Sequence, residues 1–254
     1  LVAWRAGGII AGMRIIVCRC AQAKLGRSQQ WPTVVEALRA AGREVLEVDD
    51  LCALAGRRDP WLRQVAATRG LAVVACHPRA VRWLFHAAGV ELPAGASLHN
   101  LRVDGPQAVV DAIAAADASA ASPADDAAQP AAGPEPSQPP QPADGWVPWF
   151  PVIDYSRCTT CRQCVAFCLF GVYRLEDGKA RVVEPARCKT NCPACARMCP
   201  QVAIIFPKHT GSPIDGAQVG PDAAAGQVDP QRIKSSDVYK SLRQRQGNQG
   251  PSDE

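Results

Sequence analysis

The sequence predicts two domains: an α/β domain with a small, mostly parallel sheet over residues 13–113, and a small cysteine-rich α+β domain over residues 146–207. Three observations predict them. Between residues 13 and 116, apolar strand-like runs alternate with helix-like runs closed by glycines, the pattern of a parallel sheet with crossover helices. From residue 103 to 156 there is no Lys or Arg, and residues 114–144 are Ala, Pro, Ser, Gln and Asp with almost no large apolar side chain. Such a stretch buries too little surface to offset its ordering entropy, so 114–145 reads as a disordered linker. Beyond it, eight of the twelve cysteines lie between positions 158 and 199.

The elements follow in order. Residues 13–18 (Met-Arg-Ile-Ile-Val-Cys) form a first strand, and 32–41 a helix ended by Gly42. Residues 44–48 form a second strand and 60–69 a second helix, ended by Gly70. A third strand spans 71–76, and a helix with Pro78 at its opening spans 78–88 and stops at Gly89. A fourth strand over 98–103 and a last helix over 106–116 complete an open sheet that resembles the flavodoxin-like or Rossmann-like kind. In the second domain, residues 172–175 and 180–183 flank Asp177-Gly178, the signal of a hairpin. Residues 1–12 read as an N-terminal extension outside either domain, and 208–254 as a mostly disordered tail in which Ile233, Val238, Tyr239 and Leu242 have the spacing of a short docking helix.

The two cysteine runs are Cys158-x2-Cys161-x2-Cys164-x3-Cys168 and Cys188-x3-Cys192-x2-Cys195-x3-Cys199-Pro200. Few chemistries need so many thiolates so close together. Zinc ribbons separate their ligand pairs by a dozen or more residues, and disulfide frameworks belong to small secreted domains. Three thiolates on one short loop suit an iron–sulfur cubane, and in bacterial-type runs the fourth cysteine ligates the other cluster. Two [4Fe-4S] clusters are therefore expected: cluster I on Cys158, Cys161, Cys164 and Cys199, cluster II on Cys188, Cys192, Cys195 and Cys168.

Residues 150–207 resemble a bacterial-type 2[4Fe-4S] ferredoxin domain. The likeness rests on the cysteine runs, on Val152-Ile153-Asp154-Tyr155 ahead of them, and on Cys199-Pro200-Gln201-Val202-Ala203-Ile204 at the end of the second. Two positions depart from that family. Leu169 stands where Pro usually follows Cys168, and Lys189, Thr190 and Asn191 put three residues where two are usual. The apolar Val165, Phe167, Leu169, Phe170, Val172, Tyr173, Ile204, Ile205 and Phe206 are expected to keep water off the clusters.

The other four cysteines fall at strand ends. Cys18 ends the first strand, Cys20 follows it, Cys52 lies past the second and Cys76 ends the third. In a parallel sheet these ends share one edge, where open α/β folds build their sites. Two readings stand: ligands of a third metal site, or small buried hydrophobes. Convergence favours the first, with [4Fe-4S] ahead of zinc. Cys18-Arg19-Cys20 and Val73-Val74-Ala75-Cys76-His77-Pro78-Arg79 resemble the N-terminal region of the heterodisulfide reductase flavoprotein subunit, over residues 13–102. That resemblance implies that Cys18, Cys20, Cys52 and Cys76 bind a cluster. No G-x-G-x-x-G occurs, so no flavin or NAD site is expected in this chain. His77 reads as a helix N-terminal residue or a group beside the cluster, Arg79 and Arg82 as a solvated face, and Trp146, Trp149 and Phe150 as an aromatic anchor packing within the chain.

Charge is uneven. Residues 1–102 carry 14 basic and 7 acidic side chains, 155–207 carry 8 and 3, and the intervening stretch carries 8 acidic and none basic. A basic N-terminal face fits a redox partner protein, a flavoprotein or oxidoreductase subunit, with an acidic docking face. Nucleic acid is a poor fit, since the basic residues are scattered and no recognition motif occurs. No membrane span or secretory signal is expected, and twelve cysteines kept for metal suit a reducing cytoplasm. The composite reading is an iron–sulfur electron-transfer protein with no catalysis of its own. Its alternatives are a heterodisulfide-reductase-like subunit with thiol/disulfide chemistry at the N-terminal cysteines, and an iron–sulfur sensor that binds nucleic acid.

Overall fold

The computed structural model describes residues 13–23, 29–68, 70–120, 139–140 and 145–220. The N-terminal extension, most of the linker and the helix expected around Val238 lie outside the described residues.

The N-terminal domain is α/β. It runs β1 (Arg14–Cys18), α1 (Trp31–Ala40), β2 (Val45–Val48), α2 (Leu51–Arg57), α3 (Trp61–Ala66), β3 (Leu71–Ala75), α4 (Pro78–Ala87), β4 (Ser97–Asn100) and α5 (Pro106–Ala120). The four strands form one parallel sheet in the order β2-β1-β3-β4. β3 is buried along its whole length, as a central strand covered on both faces must be. On one face, Ile15, Val17, Ala72 and Val74 meet Val34, Val35 and Leu38 of α1 and Val109 and Ile113 of α5. On the other, Ile16, Val48 and Val73 meet Leu51 and Leu54 of α2, Leu62 of α3, and Leu84 and Phe85 of α4.

Two boundaries differ from the sequence expectation. A separate helix, α2, fills the gap assigned to a loop before residue 60, because Asp50 caps it: its Oδ1 accepts from the Ala53 amide at 3.1 Å. The helix then stops at Arg58 in the left-handed region (φ 53°), and Asp59 Oδ1 accepts from the Trp61 amide to begin α3. At the other end, α5 continues to Ala120, into the Ala-rich stretch read as linker, since alanine propagates a helix better than any other residue.

The second domain is small. β5 (Val152–Ile153) pairs antiparallel with β8 (Ile204–Ile205), bringing together its entry and its exit. Between them lie α6 (Gln163–Phe167), the hairpin β6 (Tyr173–Glu176) and β7 (Lys179–Val182), and α7 (Ala194–Met198). The hairpin turn is Asp177-Gly178, with both φ positive (49° and 75°), the geometry that suits the twist of two paired strands. This domain does not hang free. Phe150, Val152 and Ile205 sit in the same buried cluster as α2 and α4 of the α/β domain. Trp146 stacks on Phe150, 5.9 Å between ring centres, and both rings lie over Gly56 of α2. The segment 208–220, read as the start of a disordered tail, folds back over the sheet edge, where Lys208, Asp215 and Gly216 are buried. Among the described residues no helix is long and apolar enough to cross a membrane.

Candidate iron–sulfur sites

The two cysteine runs fold alike. In each, the third cysteine lies in a one-turn helix and the fourth follows it: Cys164 in α6 then Cys168, Cys195 in α7 then Cys199. Cys168 and Cys199 adopt nearly the same extended backbone, ψ 107° and 112°, which turns each fourth thiol away from its own loop. Cys199 thereby joins Cys158, Cys161 and Cys164 around one cavity. Cys168 lies within electrostatic reach of Cys188 and Cys195, which also face Cys192.

The cysteine loops hold costly backbone. Thr160 and Arg162 on either side of Cys161, Asn191 beside Cys192, Val202 after Cys199, and Cys20 itself all have φ between 51° and 63°. Left-handed backbone costs a non-glycine residue about 1 kcal/mol or more, and such strain gathers where a site needs its backbone aimed. The residue before the second cysteine is left-handed in both loops, Thr160 in one and Asn191 in the other. The extra residue of the second loop is thus taken up upstream, closed by the Cys192 amide on the Lys189 carbonyl at 3.1 Å.

Sulfur atoms here receive hydrogen bonds. The Ala203 amide donates to Cys199 Sγ at 3.3 Å, and the Tyr173 hydroxyl donates to Cys195 Sγ at 3.1 Å. Burial pushes the Cys164 and Cys188 thiols up to about 12 and Cys195 to about 11, with the neighbouring thiols adding to the rise. Thiolates crowded this way repel one another unless multivalent positive charge stands among them, and a bound metal removes the protons outright. Among the described residues no group of three or more His, Cys, Asp or Glu side chains is drawn close enough to hold a metal ion as it stands. Four thiols from both runs gathered at one cavity form an all-sulfur donor set, the chemistry that iron–sulfur clusters use.

The apolar shield is less complete than the sequence implies. Val172, Tyr173, Ile204, Ile205 and Phe206 are buried, but Leu169 is 93% exposed and Phe167 and Phe170 are also exposed.

The four N-terminal cysteines meet at the C-terminal edge of the sheet. Cys18 ends β1, Cys20 lies two residues on, Cys52 is in the first turn of α2 and Cys76 directly follows β3. All four line one cavity, together with Asp50, Leu84, Arg102, Pro207 and Lys208. Cys18 Sγ is 3.7 Å from Cys20 Sγ and accepts from the Leu51 amide at 3.3 Å. The Cys20 contact draws the Cys18 thiol below its ordinary value, while burial pushes Cys76 up to about 11 and Cys52 well up. Arg102 Nε is buried with no hydrogen-bond partner among the described residues. An orphaned donor on a residue lining a four-thiol cavity fits an anionic group held there.

His77 opens α4, as expected of a helix N-terminal residue, whereas Arg79 departs from the solvated face expected of it. His77 caps α4 but its ring is engaged elsewhere, with Nδ1 2.9 Å from Asn100 Nδ2 and Nε2 3.2 Å from Asp215 Oδ2. Arg79 is not on a solvated face. It is 7% exposed, with Nε 2.6 Å from Asp154 Oδ2 and Nη2 on the Val202 carbonyl, because α4 is covered by the second domain. Lys208, Asp50 and Arg102 carried no motif that could have marked them; only the fold brings residue 208 against residue 50.

No family model matches this chain. Over 62 residues, 24% of its length, it is 50% identical to an uncharacterized ferredoxin of Methanocaldococcus jannaschii. The likeness supports a ferredoxin-like domain. The matched stretch is 42% of that relative, so the chain spans less than half of its length.

Proposed function

We propose that this protein is an iron–sulfur electron carrier whose second domain holds two [4Fe-4S] clusters of the bacterial ferredoxin type. Cluster I is held by Cys158, Cys161, Cys164 and Cys199, cluster II by Cys188, Cys192, Cys195 and Cys168. The observation that carries this is the seating of Cys199, from the second run, in the cavity of the first three cysteines of the first run. A cluster bound there supplies one-electron storage at a potential set by its ligands, its hydrogen bonds and its exposure. Cys18, Cys20, Cys52 and Cys76 hold a third [4Fe-4S] cluster, extending the carrier into a relay. The partner is a redox protein with an acidic docking face, in keeping with the excess of Arg and Lys on residues 1–102 and 155–207.

A second reading is favoured by one contact. The 3.7 Å approach of Cys18 and Cys20 suits a heterodisulfide-reductase-like subunit in which these thiols close a disulfide, releasing two protons and passing two electrons to the ferredoxin-like domain. Iron and acid-labile sulfide decide between the readings in anaerobically reconstituted protein. About twelve irons per chain support three cubanes, and about eight leave the N-terminal thiols to disulfide chemistry. A protein with no cluster spectrum at all overturns both.

A further inference from the structure

The N-terminal thiol cavity is closed by a segment from beyond the second domain. We propose that residues 207–216 form a built-in wall of this site, and that Lys208 and Arg102 supply the positive charge by which it holds its cluster. The proposal rests on the third cluster proposed above.

Four independent attachments fix the segment. Arg102 Nη2 donates to the Pro207 carbonyl at 2.6 Å, and Nη1 to the His209 carbonyl at 3.4 Å. Lys208 Nζ pairs with Asp50 Oδ2. Asp215 pairs with His77, directly after Cys76. Gly216, at φ 97°, lies so close to α4 that a Cβ there would stand 2.6 Å from that of Ala80. Nothing about a disordered tail calls for such a fit.

Charge gives the segment its purpose. Lys208 is 7% exposed and Asp50 2%, so both ions are out of water. A buried ion pair is no better for stability than well-packed apolar residues, so stability alone does not explain it. Both ions line the thiol cavity, as does Arg102, whose buried Nε has no acceptor among the described residues. Among the residues that line the cavity, two cations against one carboxylate leave one net positive charge, while Asp215 of the same segment faces His77 outside that lining. An oxidised cubane with its four thiolates carries about −2, and its reduced form about −3. Cations fixed in the cavity lining offset that charge directly. Besides Asp50, Lys208 acts on Cys52 and more weakly on Cys20, and both Arg102 and Lys208 act on Cys76.

The test is an anaerobic redox titration of the full-length reconstituted protein, followed by electron paramagnetic resonance, with iron counted on each sample. Lys208→Gln and Arg102→Gln are expected to lower the midpoint of one cluster enough to change its reduced-to-oxidised ratio at least tenfold, about 59 mV for one electron, or to shed about four irons. Asp50→Asn, which keeps the helix cap, should raise the same midpoint, and Lys208→Arg should restore it. Opposite signs from the two members of one ion pair are not produced by a merely structural role. The clusters of the second domain are the internal control. Should Lys208→Gln fail to fold, Arg102→Gln against Asp50→Asn still decides. Twelve irons with an unchanged midpoint in Arg102→Gln and Asp50→Asn overturn the charge role and leave the third cluster standing. Eight irons in the parent protein overturn both.

Discussion

Arg79 and Asp154, 75 residues apart in sequence and in different domains, form an ion pair with Nε 2.6 Å from Oδ2 and side chains 7% and 4% exposed. The same carboxylate accepts from the Ser156 amide at 3.1 Å, and the Cys158 amide donates to the Asp154 carbonyl at 3.0 Å. One residue therefore ties the start of the first ligand loop to α4. Removing either partner leaves a buried ion alone, which costs about 3–5 kcal/mol. Arg79→Met and Asp154→Asn are each expected to lower the anaerobic thermal midpoint by on the order of 10 °C. The double variant should lose less than the sum, as circular dichroism will show. Additive losses would mean the two side chains are not coupled.

Tyr173 and Cys195 give a prediction about potential. The Tyr173 hydroxyl lies 3.1 Å from Cys195 Sγ in a fully buried position, and burial holds the phenol well above its ordinary value, so it remains a donor. A hydrogen bond to a ligating sulfur favours the reduced, more negative cluster. Tyr173→Phe keeps the packing and deletes the donor. One midpoint should fall in a redox titration while the others and the iron count hold. A fall in iron, or no change in any midpoint, would refute the assignment.

Cys18 and Cys76 separate the two domains chemically. They sit at the ends of adjacent parallel strands, in a cavity that shares no cysteine with that of Cys158, Cys161, Cys164 and Cys199. Replacing both with Ser should take iron from about twelve per chain to about eight and leave the spectrum of the other clusters intact. Loss of all clusters would mean that the domains, which share a core through Phe150, Val152 and Ile205, do not hold metal independently.

The α/β pattern was legible because strand and helix periods are local. The parallel sheet follows from apolar runs such as Leu71–Ala75 and helix openings such as Pro78. The hairpin at Asp177-Gly178 was legible for the same reason. What sequence could not reveal depends on contacts across the chain. Arg79 looks like a surface residue of an amphipathic helix until the second domain covers that face. Lys208 looks like the first polar residue of a tail until Asp50 is found beside it. Cys52 could be placed near the sheet edge but not on a helix, because α2 is set by one cap, Asp50, in a short segment with weak periodicity.

Gly56 offers a test of how the linker's end is held. It lies inside α2, where Ala would gain about 1 kcal/mol of helix propensity. Yet a Cβ there would stand 2.5 Å from the Trp146 ring and 2.9 Å from that of Phe150, closer than real contacts allow. Phe150 is 3% exposed and fixed in the shared core, so Trp146 must move, giving up its stack on Phe150 and its place beside Arg57. Overpacking of this kind costs about 1–3 kcal/mol and the lost stack roughly another 1, so the clash outweighs the propensity gain. Gly56→Ala should therefore lower the thermal midpoint. In a Trp146→Ala background only the 2.9 Å approach to Phe150 remains, and the same substitution should cost clearly less than in the parent. Destabilisation of equal size in both backgrounds would place Trp146 elsewhere than over α2.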